Sequence, residues 1–115
     1  MTEDELLKHC LSYTGVYKDY PFGEKWTVMR HVGNKKIFAL IFQLNGHPCV
    51  NLKCEPNRAH FLRGIFKEVK PGFHMNKEHW NTVILDGDLP DEEIFDMVQH
   101  SFQLTKPKPK KLKKG

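Results

Sequence analysis

The centre of the chain carries an apolar segment followed at once by a tight-turn signal. Ile37–Leu44 is apolar on both faces of an extended strand, which is typical of a central position in a sheet. Asn45-Gly46 follows it, and both residues tolerate the positive φ that a two-residue hairpin turn requires. Residues 49–53 then form the next antiparallel strand. This hairpin predicts a sheet as the framework of the fold.

The flanking segments predict three helices and further strands. A capping-box pattern, Thr2-x-x-Glu5, begins a helix that Gly15 ends. Pro56 suits the first turn of a second helix, and Leu89-Pro90 precedes a third with acidic residues in its first turn. The remaining predicted strands are residues 27–32, 73–75 and 80–85, and residues 16–26 are predicted to be an aromatic-rich loop. We therefore expect an α+β fold with two layers: a five-stranded antiparallel sheet and three helices, in the order α-β-β-β-α-β-β-α.

Length and composition are typical of one soluble domain. The chain has 115 residues, and we expect a single domain over 1–104 and a disordered Lys/Pro-rich tail over 105–115. The longest apolar run is far too short to span a membrane, and the acidic start does not resemble a secretory signal. Three cysteines do not suggest a disulfide framework. We expect a cytoplasmic protein, a monomer, with reduced thiols.

Charge is unevenly distributed along the chain. Six tail lysines account for more than the whole net charge of +4, so the rest of the chain is slightly acidic. Residues 22–79 carry ten basic and four acidic side chains, whereas residues 80–104 carry six acidic ones and no Lys or Arg. This pattern indicates either a basic surface and an acidic helix, or two ordinary solvated faces.

Three segments resemble the MmcQ/YjbR family of small bacterial proteins. They are Tyr20-Pro-Phe-Gly23, the segment Pro71-Gly-Phe-His-Met-Asn-Lys-Glu-His-Trp-Asn-Thr-Val83, and His100-Ser-Phe-Gln-Leu104. The block around His74, Asn76, Lys77 and Trp80 is the most specific part. The resemblance implies the α+β arrangement above. It also implies a proposed DNA-binding module, in which two hairpins form a double wing that straddles DNA.

The expected nucleic-acid contacts are lysines on two hairpin tips and in the tail. Lys35 and Lys36 lie on one tip and Lys77 on the other, with Arg30 and Lys53 on flanking strands. Lysine binds phosphate but lacks the bidentate fork that reads bases, so we expect weak, sequence-independent binding to DNA or another polyanion. The tail adds Lys108, Lys110 and Lys111. Lys-rich tips and tails also occur for solubility alone.

An alternative function is a protein- or small-molecule-binding module with an aromatic pocket. Its expected residues are Tyr20, Phe22, His74, Asn76 and Trp80. His74 and Asn76 are equally consistent with a structural role in fixing a turn. No spacing typical of a metal site or a catalytic motif occurs, so we expect no metal, no cofactor and no enzymatic activity.

Overall fold

A computed structural model describes residues 1–109 of the chain. Its elements, in chain order, are α1 (Glu3–Leu11), β1 (Val16–Asp19), β2 (Thr27–His31), β3 (Ile37–Leu44), β4 (His47–Lys53), α2 (Pro56–Ile65), β5 (Val69–Pro71), β6 (Trp80–Ile84) and α3 (Asp91–Thr105). The strands form one antiparallel sheet in the order β1-β2-β3-β4-β6-β5. The α+β class with three helices is confirmed, and the sheet has six strands rather than five.

The strands differ from the predicted ones in two places, both at an edge of the sheet. Val16–Asp19 was expected to be loop but pairs with β2, because its residues satisfy their backbone groups at the sheet edge. The last hairpin uses Val69–Pro71, not residues 73–75, as the partner of β6. Pro71 is tolerated there because β5 is an edge strand. Residues 73–75 form a turn instead.

The helices cover one face of the sheet, and the core lies between the two layers. α3 packs across β3 and β4, α1 packs near β1 and β3, and α2 lies beside β5. The predicted capping box begins α1: Glu5 N donates to Thr2 Oγ1, and Thr2 N donates to the Glu5 carboxylate. The strand residues that face the helices include Met29, Ala39, Ile41, Val50, Leu52 and Val83. We call the opposite side of the sheet the open face.

A shift in strand pairing adjusts the sheet to the helix layer. Met29 pairs with Ala39 but Arg30 pairs with Ile37, so Phe38 has no partner of its own in β2. A residue inserted in this way turns the strand locally. Phe38 meets the rings of Tyr13 and Phe102 on the helix side and is fully buried. Because of this shift, Phe38 and the next residue, Ala39, both contribute to the core on the helix side.

The C-terminal helix α3 includes the first residue of the predicted tail. It ends at Thr105, which is buried, so the ordered part of the chain continues past the predicted boundary at residue 104. Residues 106–109 are described as non-helical, and residues 110–115 of the predicted tail lie outside the described residues. None of the helices within residues 1–109 is long and apolar enough to cross a membrane.

Gly72 is predicted to be essential for the hairpin geometry. A Cβ at this position would lie 2.8 Å from Trp80 Cβ and 2.9 Å from the Trp80 carbonyl oxygen, so the backbone would have to move. Gly72→Ala should lower the free energy of unfolding by about 1–3 kcal/mol. The control is Gly64→Ala in α2, where a Cβ meets nothing within 4 Å; it should leave stability unchanged or raise it by about 0.5–1 kcal/mol. Urea unfolding measures both, and equal effects would contradict the prediction.

Candidate functional site

The turn between β2 and β3, residues 32–36, presents two exposed lysines on a constrained backbone. Lys35 has a positive φ of 61°, and its N–H donates to the His31 carbonyl at 2.8 Å. Arg30 Nη1 donates to the Lys35 carbonyl at 2.8 Å, and Lys36 N donates to Asn34 Oδ1 at 3.0 Å. The turn is therefore fixed by its own hydrogen bonds, while the side chains of Lys35 and Lys36 are exposed. We call residues 32–36 the basic turn.

The end of α3 is attached to this basic turn. Asn34 Nδ2 donates to the Thr105 carbonyl at 2.9 Å, and His31 Nε2 is 2.8 Å from Thr105 Oγ1. Pro107 lies so close to Gly33 that a Cβ there would be 2.6 Å from the Pro107 ring. Consequently the exposed Lys106 and Lys108 emerge beside Lys35 and Lys36. The predicted contacts Lys110 and Lys111 lie outside the described residues.

The acidic residues of α3 lie at its other end. Asp91, Glu92 and Glu93 occupy its first turn, where the helix dipole favours negative charge. A helix of 15 residues is about 22 Å long, so these acids are far from the basic turn. The fold therefore keeps these three acids away from the basic turn, whereas Asp88 and Asp96 form ion pairs with Lys67 and Arg58 of the basic stretch.

The second predicted tip, residues 76–79, belongs to a longer turn, residues 72–79, that is folded back onto the protein. The Lys77 ammonium donates to the Gly72 carbonyl at 2.9 Å. Asn76 Oδ1 accepts from Glu78 N at 2.9 Å and His79 N at 3.2 Å, which is the turn-fixing role expected of asparagine. Arg63 of α2 donates to Asn81 Oδ1 at 2.7 Å and to the carbonyls of Lys77 and Trp80. Arg63 was not among the predicted residues, because no local pattern marks a contact between α2 and this turn.

The start of this turn lies on the open face of the sheet. Phe73 N donates to Thr82 Oγ1 at 2.8 Å, and Asn51 Nδ2 donates to the Phe73 carbonyl at 2.9 Å. These two bonds hold residues 73–75 above the middle of β3, β4 and β6. His74 has a positive φ of 61°, which turns the chain there. The segment forms one wall of a cavity.

That cavity has a volume of about 370 Å³ and is largely aromatic. It is lined by Phe22, Trp26, Leu40, Phe73, His74 and Met75. The Trp26 ring stacks on Phe42 at 4.4 Å, and the His74 ring is 4.0 Å from Phe73 and 6.4 Å from Trp26. Of the predicted pocket residues, Phe22 and His74 line the cavity, whereas Tyr20, Asn76 and Trp80 do not.

The pocket residues that sequence reasoning missed come from three separate elements. Trp26 was recognised only as one of several loop aromatics that pack on the body, and Leu40 only as part of an apolar strand. Phe73 and Met75 were assigned to a strand, which would have placed them in the sheet rather than above it. The available signal was Pro71-Gly72, since this pair favours a turn immediately after residue 72.

A row of half-exposed side chains crosses the open face beside this cavity. Tyr17 pairs with Arg30, Arg30 with Ile37, and Lys53 with Trp80, so each of the two cations lies next to an aromatic residue on a neighbouring strand. All five residues are half-exposed. Arg30 also forms an ion pair with Asp19, with 2.9 Å between Nε and Oδ2. We call Tyr17, Arg30, Ile37, Lys53 and Trp80 the cross-sheet row.

The two turns leave the sheet at the same end. The basic turn joins β2 to β3, the second turn joins β5 to β6, and Lys53 at the end of β4 pairs with Trp80 at the start of β6. Three strand spacings of roughly 4.8 Å separate the centres of the two hairpins, or about 14 Å. The sheet therefore places two turns side by side at one end.

The three cysteines are buried and poorly suited to nucleophilic chemistry. Burial raises the pKa of Cys10 to about 12 and the pKa of Cys49 to about 11, and it also raises the pKa of Cys54. A nucleophilic cysteine needs a lowered pKa instead. Within residues 1–109, no group of three His, Cys, Asp or Glu side chains is placed to hold a metal ion.

The comparisons with known proteins agree on one family. The YjbR family model matches residues 11–104. The chain belongs to the YjbR family. It is 35% identical to the uncharacterized protein YyaQ of Bacillus subtilis, over 92% of this chain and 99% of YyaQ. It is 36% identical to the uncharacterized protein YjbR of Escherichia coli K12, over 90% of this chain and 86% of that protein.

Solved structures show the same fold for the family. A crystal structure of a Pseudomonas syringae protein superposes with a TM-score of 0.82 at 32% identity, and covers 91% of this chain and 99% of that one. A Deinococcus radiodurans protein gives a TM-score of 0.81 at 29% identity, over 90% of this chain and 77% of that one. The YjbR-family resemblance predicted from three sequence segments is thereby confirmed.

Arg63 should contribute more to stability than its neighbour Arg58 in the same helix. Arg63→Met removes the partner of Asn81 Oδ1, and Asn81 is buried, so we expect a loss of about 1–3 kcal/mol. Arg58→Met breaks an exposed ion pair with Asp96 and should cost less than about 1 kcal/mol. Urea unfolding compares the two. A larger loss for Arg58→Met would contradict this assignment.

Stability should fall as the pH drops below the ordinary pKa of histidine. Burial lowers the pKa of His31, so the unfolded chain binds more protons than the folded one at mildly acidic pH. Stability is then complete above about pH 6.5 and declines below it, by at most about 1.4 kcal/mol per pH unit from this group. Urea unfolding from pH 7.5 to 5 measures the decline. His31→Gln should reduce the slope and His60→Gln, at an exposed position, should not; unchanged slopes in both would contradict the assignment.

Proposed function

We propose that this YjbR-family protein is a non-enzymatic nucleic-acid-binding module whose main contact surface is the basic turn with the adjoining C-terminal segment. The observation that carries the proposal is the attachment of Thr105 and Pro107 to residues 31–34. This attachment brings together two groups of lysines that are about 70 residues apart in the sequence.

The chemistry of this corner suits a polyanion and gives little base selectivity. Lysines gain affinity from phosphates through counterion release, which does not depend on sequence. Lys35, Lys36, Lys106 and Lys108 are all exposed there. Arg30 could provide a bidentate fork, but its guanidinium is occupied by Asp19 and the Lys35 carbonyl. We therefore propose weak, sequence-independent binding, with a Kd of about 10⁻⁴–10⁻⁶ M at physiological salt.

The two turns at one end of the sheet support a double-wing arrangement, with unequal contributions. The basic turn offers free ammonium groups. In the second turn the Lys77 ammonium donates to the backbone of the same turn. We therefore expect this turn to contribute to binding more through its shape and position than through its charge. In this proposal the second turn lies against the nucleic acid while the basic turn and the tail supply the phosphate contacts.

The non-enzymatic part of the proposal rests on the state of the potential nucleophiles. Burial disfavours the thiolate form of all three cysteines. Asn76, in the turn between β5 and β6, fixes the backbone of that turn. We therefore propose that the three cysteines and Asn76 have structural rather than catalytic roles.

A second candidate function is a small-molecule module that uses the aromatic cavity. Its volume of about 370 Å³ lies at the lower end of the range for ligand pockets, about 300–1,000 Å³. Such binding would depend on apolar contact and would therefore change little with salt. Salt dependence separates the two candidates.

Removing the basic-turn lysines should weaken binding and its dependence on salt together. In fluorescence anisotropy with a labelled mixed-sequence duplex, Lys35→Ala/Lys36→Ala should reduce the slope of log K against log salt by about 2. Truncation after Pro109, which keeps the Pro107 contact, should reduce it further. The charge-matched control is Lys8→Ala/Lys67→Ala, two exposed lysines on α1 and on the α2–β5 connection.

The possible outcomes distinguish an effect of net charge from binding at the basic turn. If Lys8→Ala/Lys67→Ala lowers the slope as much as Lys35→Ala/Lys36→Ala, binding reflects net charge. The assignment of the basic turn as the contact surface is then wrong. If only the truncation has an effect, the tail binds and the basic turn does not. If the full chain does not bind at about 50 mM salt, the nucleic-acid proposal is wrong.

A further inference from the structure

We infer that the open face binds single-stranded nucleic acid and seats one unpaired base in the aromatic cavity. The inference rests on the proposed function and adds to it the class of nucleic acid and the place of the base. It is carried by the cavity and by the cross-sheet row, neither of which the phosphate-binding proposal uses.

The cavity offers ring faces for stacking, and it opens outward. Four of its six lining side chains are rings: Phe22, Trp26, Phe73 and His74. Phe22 is 62% exposed at this site, so much of its ring is accessible to a ligand. Aromatic side chains bind unpaired bases by stacking, and every base has a π-face to offer.

The walls of the cavity are already in place before a ligand arrives. Trp26 stacks on Phe42 with an angle of 16° between the rings, which fixes one wall. The backbone of Phe73 is held by Thr82 and Asn51, which fixes the other. His74 keeps an unusual left-handed backbone conformation beside it. A preformed site of this kind loses little entropy when a planar group enters.

The cross-sheet row supplies a path for the rest of the strand. It runs from Tyr17 on β1 to Trp80 on β6, four strand spacings or roughly 19 Å. Lys53 lies in the row beside Trp80, and Arg30, which is paired with Asp19, lies between Tyr17 and Ile37. Positive charge beside aromatic rings is the composition of surfaces that bind single strands.

The row is continuous with the basic turn. Arg30 belongs to the row, and its Nη1 donates to the Lys35 carbonyl in the basic turn. A strand that lies on the row can therefore reach Lys35 and Lys36 with its phosphates. A duplex keeps its bases paired and stacked, so it can use the basic turn but cannot place a base in the cavity.

The experiment compares a labelled 15-nucleotide oligo-dT strand with a labelled mixed-sequence duplex, using the full-length chain at one fixed salt concentration. An oligo-U strand of the same length distinguishes DNA from RNA as the source of the bases. The variant is Phe22→Ala, and the control is Phe61→Ala, an equally exposed phenylalanine (63%) on α2. Anisotropy gives affinity, and circular dichroism checks that both variants fold.

A second readout comes from the protein itself. The chain has two tryptophans, Trp26 in the cavity and Trp80 in the cross-sheet row, so tryptophan fluorescence reports on the open face. We expect the single strand to quench this fluorescence. We also expect Phe22→Ala to weaken single-strand binding at least about fivefold, while duplex binding and Phe61→Ala remain unchanged.

Failure of this inference differs from failure of the proposed function. If both variants bind the single strand like the natural chain, or if Phe22→Ala weakens duplex and single strand equally, the base site is wrong while phosphate binding by the basic turn stands. If the single strand binds without quenching, the base site is also wrong. If neither nucleic acid binds, the proposed function and the base site are both wrong.

Discussion

The buried pair Asn51 and Thr82 is the constraint on which the architecture of the open face depends. Both side chains lie in the middle of the sheet, opposite each other on β4 and β6, with 0% and 2% exposure. A buried amide or hydroxyl without a partner costs about 1–3 kcal/mol. Here Thr82 donates to Asn51, and the backbone of Phe73 completes the network from above. The turn must therefore lie over the sheet.

The position of the turn has consequences for the rest of the face. It makes Phe73, His74 and Met75 one wall of a cavity, with Trp26 opposite. It also leaves Lys77 close enough to Gly72 to cap a backbone carbonyl. A hairpin that extended outward would have taken the Phe73 backbone away from Asn51 and Thr82, so Asn51 Nδ2 would have lost its acceptor. The buried pair Asn51 and Thr82 therefore holds the second turn against the sheet, where it lines the aromatic cavity.

A second polar contact organises the basic end of the molecule. His31 and Thr105 meet in the interior, and Thr105 Oγ1 also donates to the Ser101 carbonyl within α3. The helix therefore ends against the basic turn instead of diverging from it. The acidic first turn of the same helix lies at the opposite end. The first-turn acids of α3 and the lysines of the basic corner therefore lie at opposite ends of the helix, which is how a slightly acidic body can present a basic corner.

Much of the fold follows from local sequence signals. The central hairpin at Asn45-Gly46 and the capping box at Thr2 are formed as predicted, and Pro56 begins α2. These features depend on residues within a few positions of each other, where backbone preferences decide the outcome. The exposed Lys35 and Lys36 on their turn could be anticipated for the same reason.

What the sequence determined by itself was the α+β class, the family and the uneven distribution of charge, because each is written in short segments or in composition. Only the tertiary structure decided that β1 joins the sheet edge, that residues 73–75 cover the open face, and that Pro107 meets Gly33. These contacts join residues far apart in the chain. They form because buried polar groups need hydrogen-bond partners and because the interior must be closely packed. Both requirements depend on which residues the folded sheet brings together, so they cannot be read from the sequence alone.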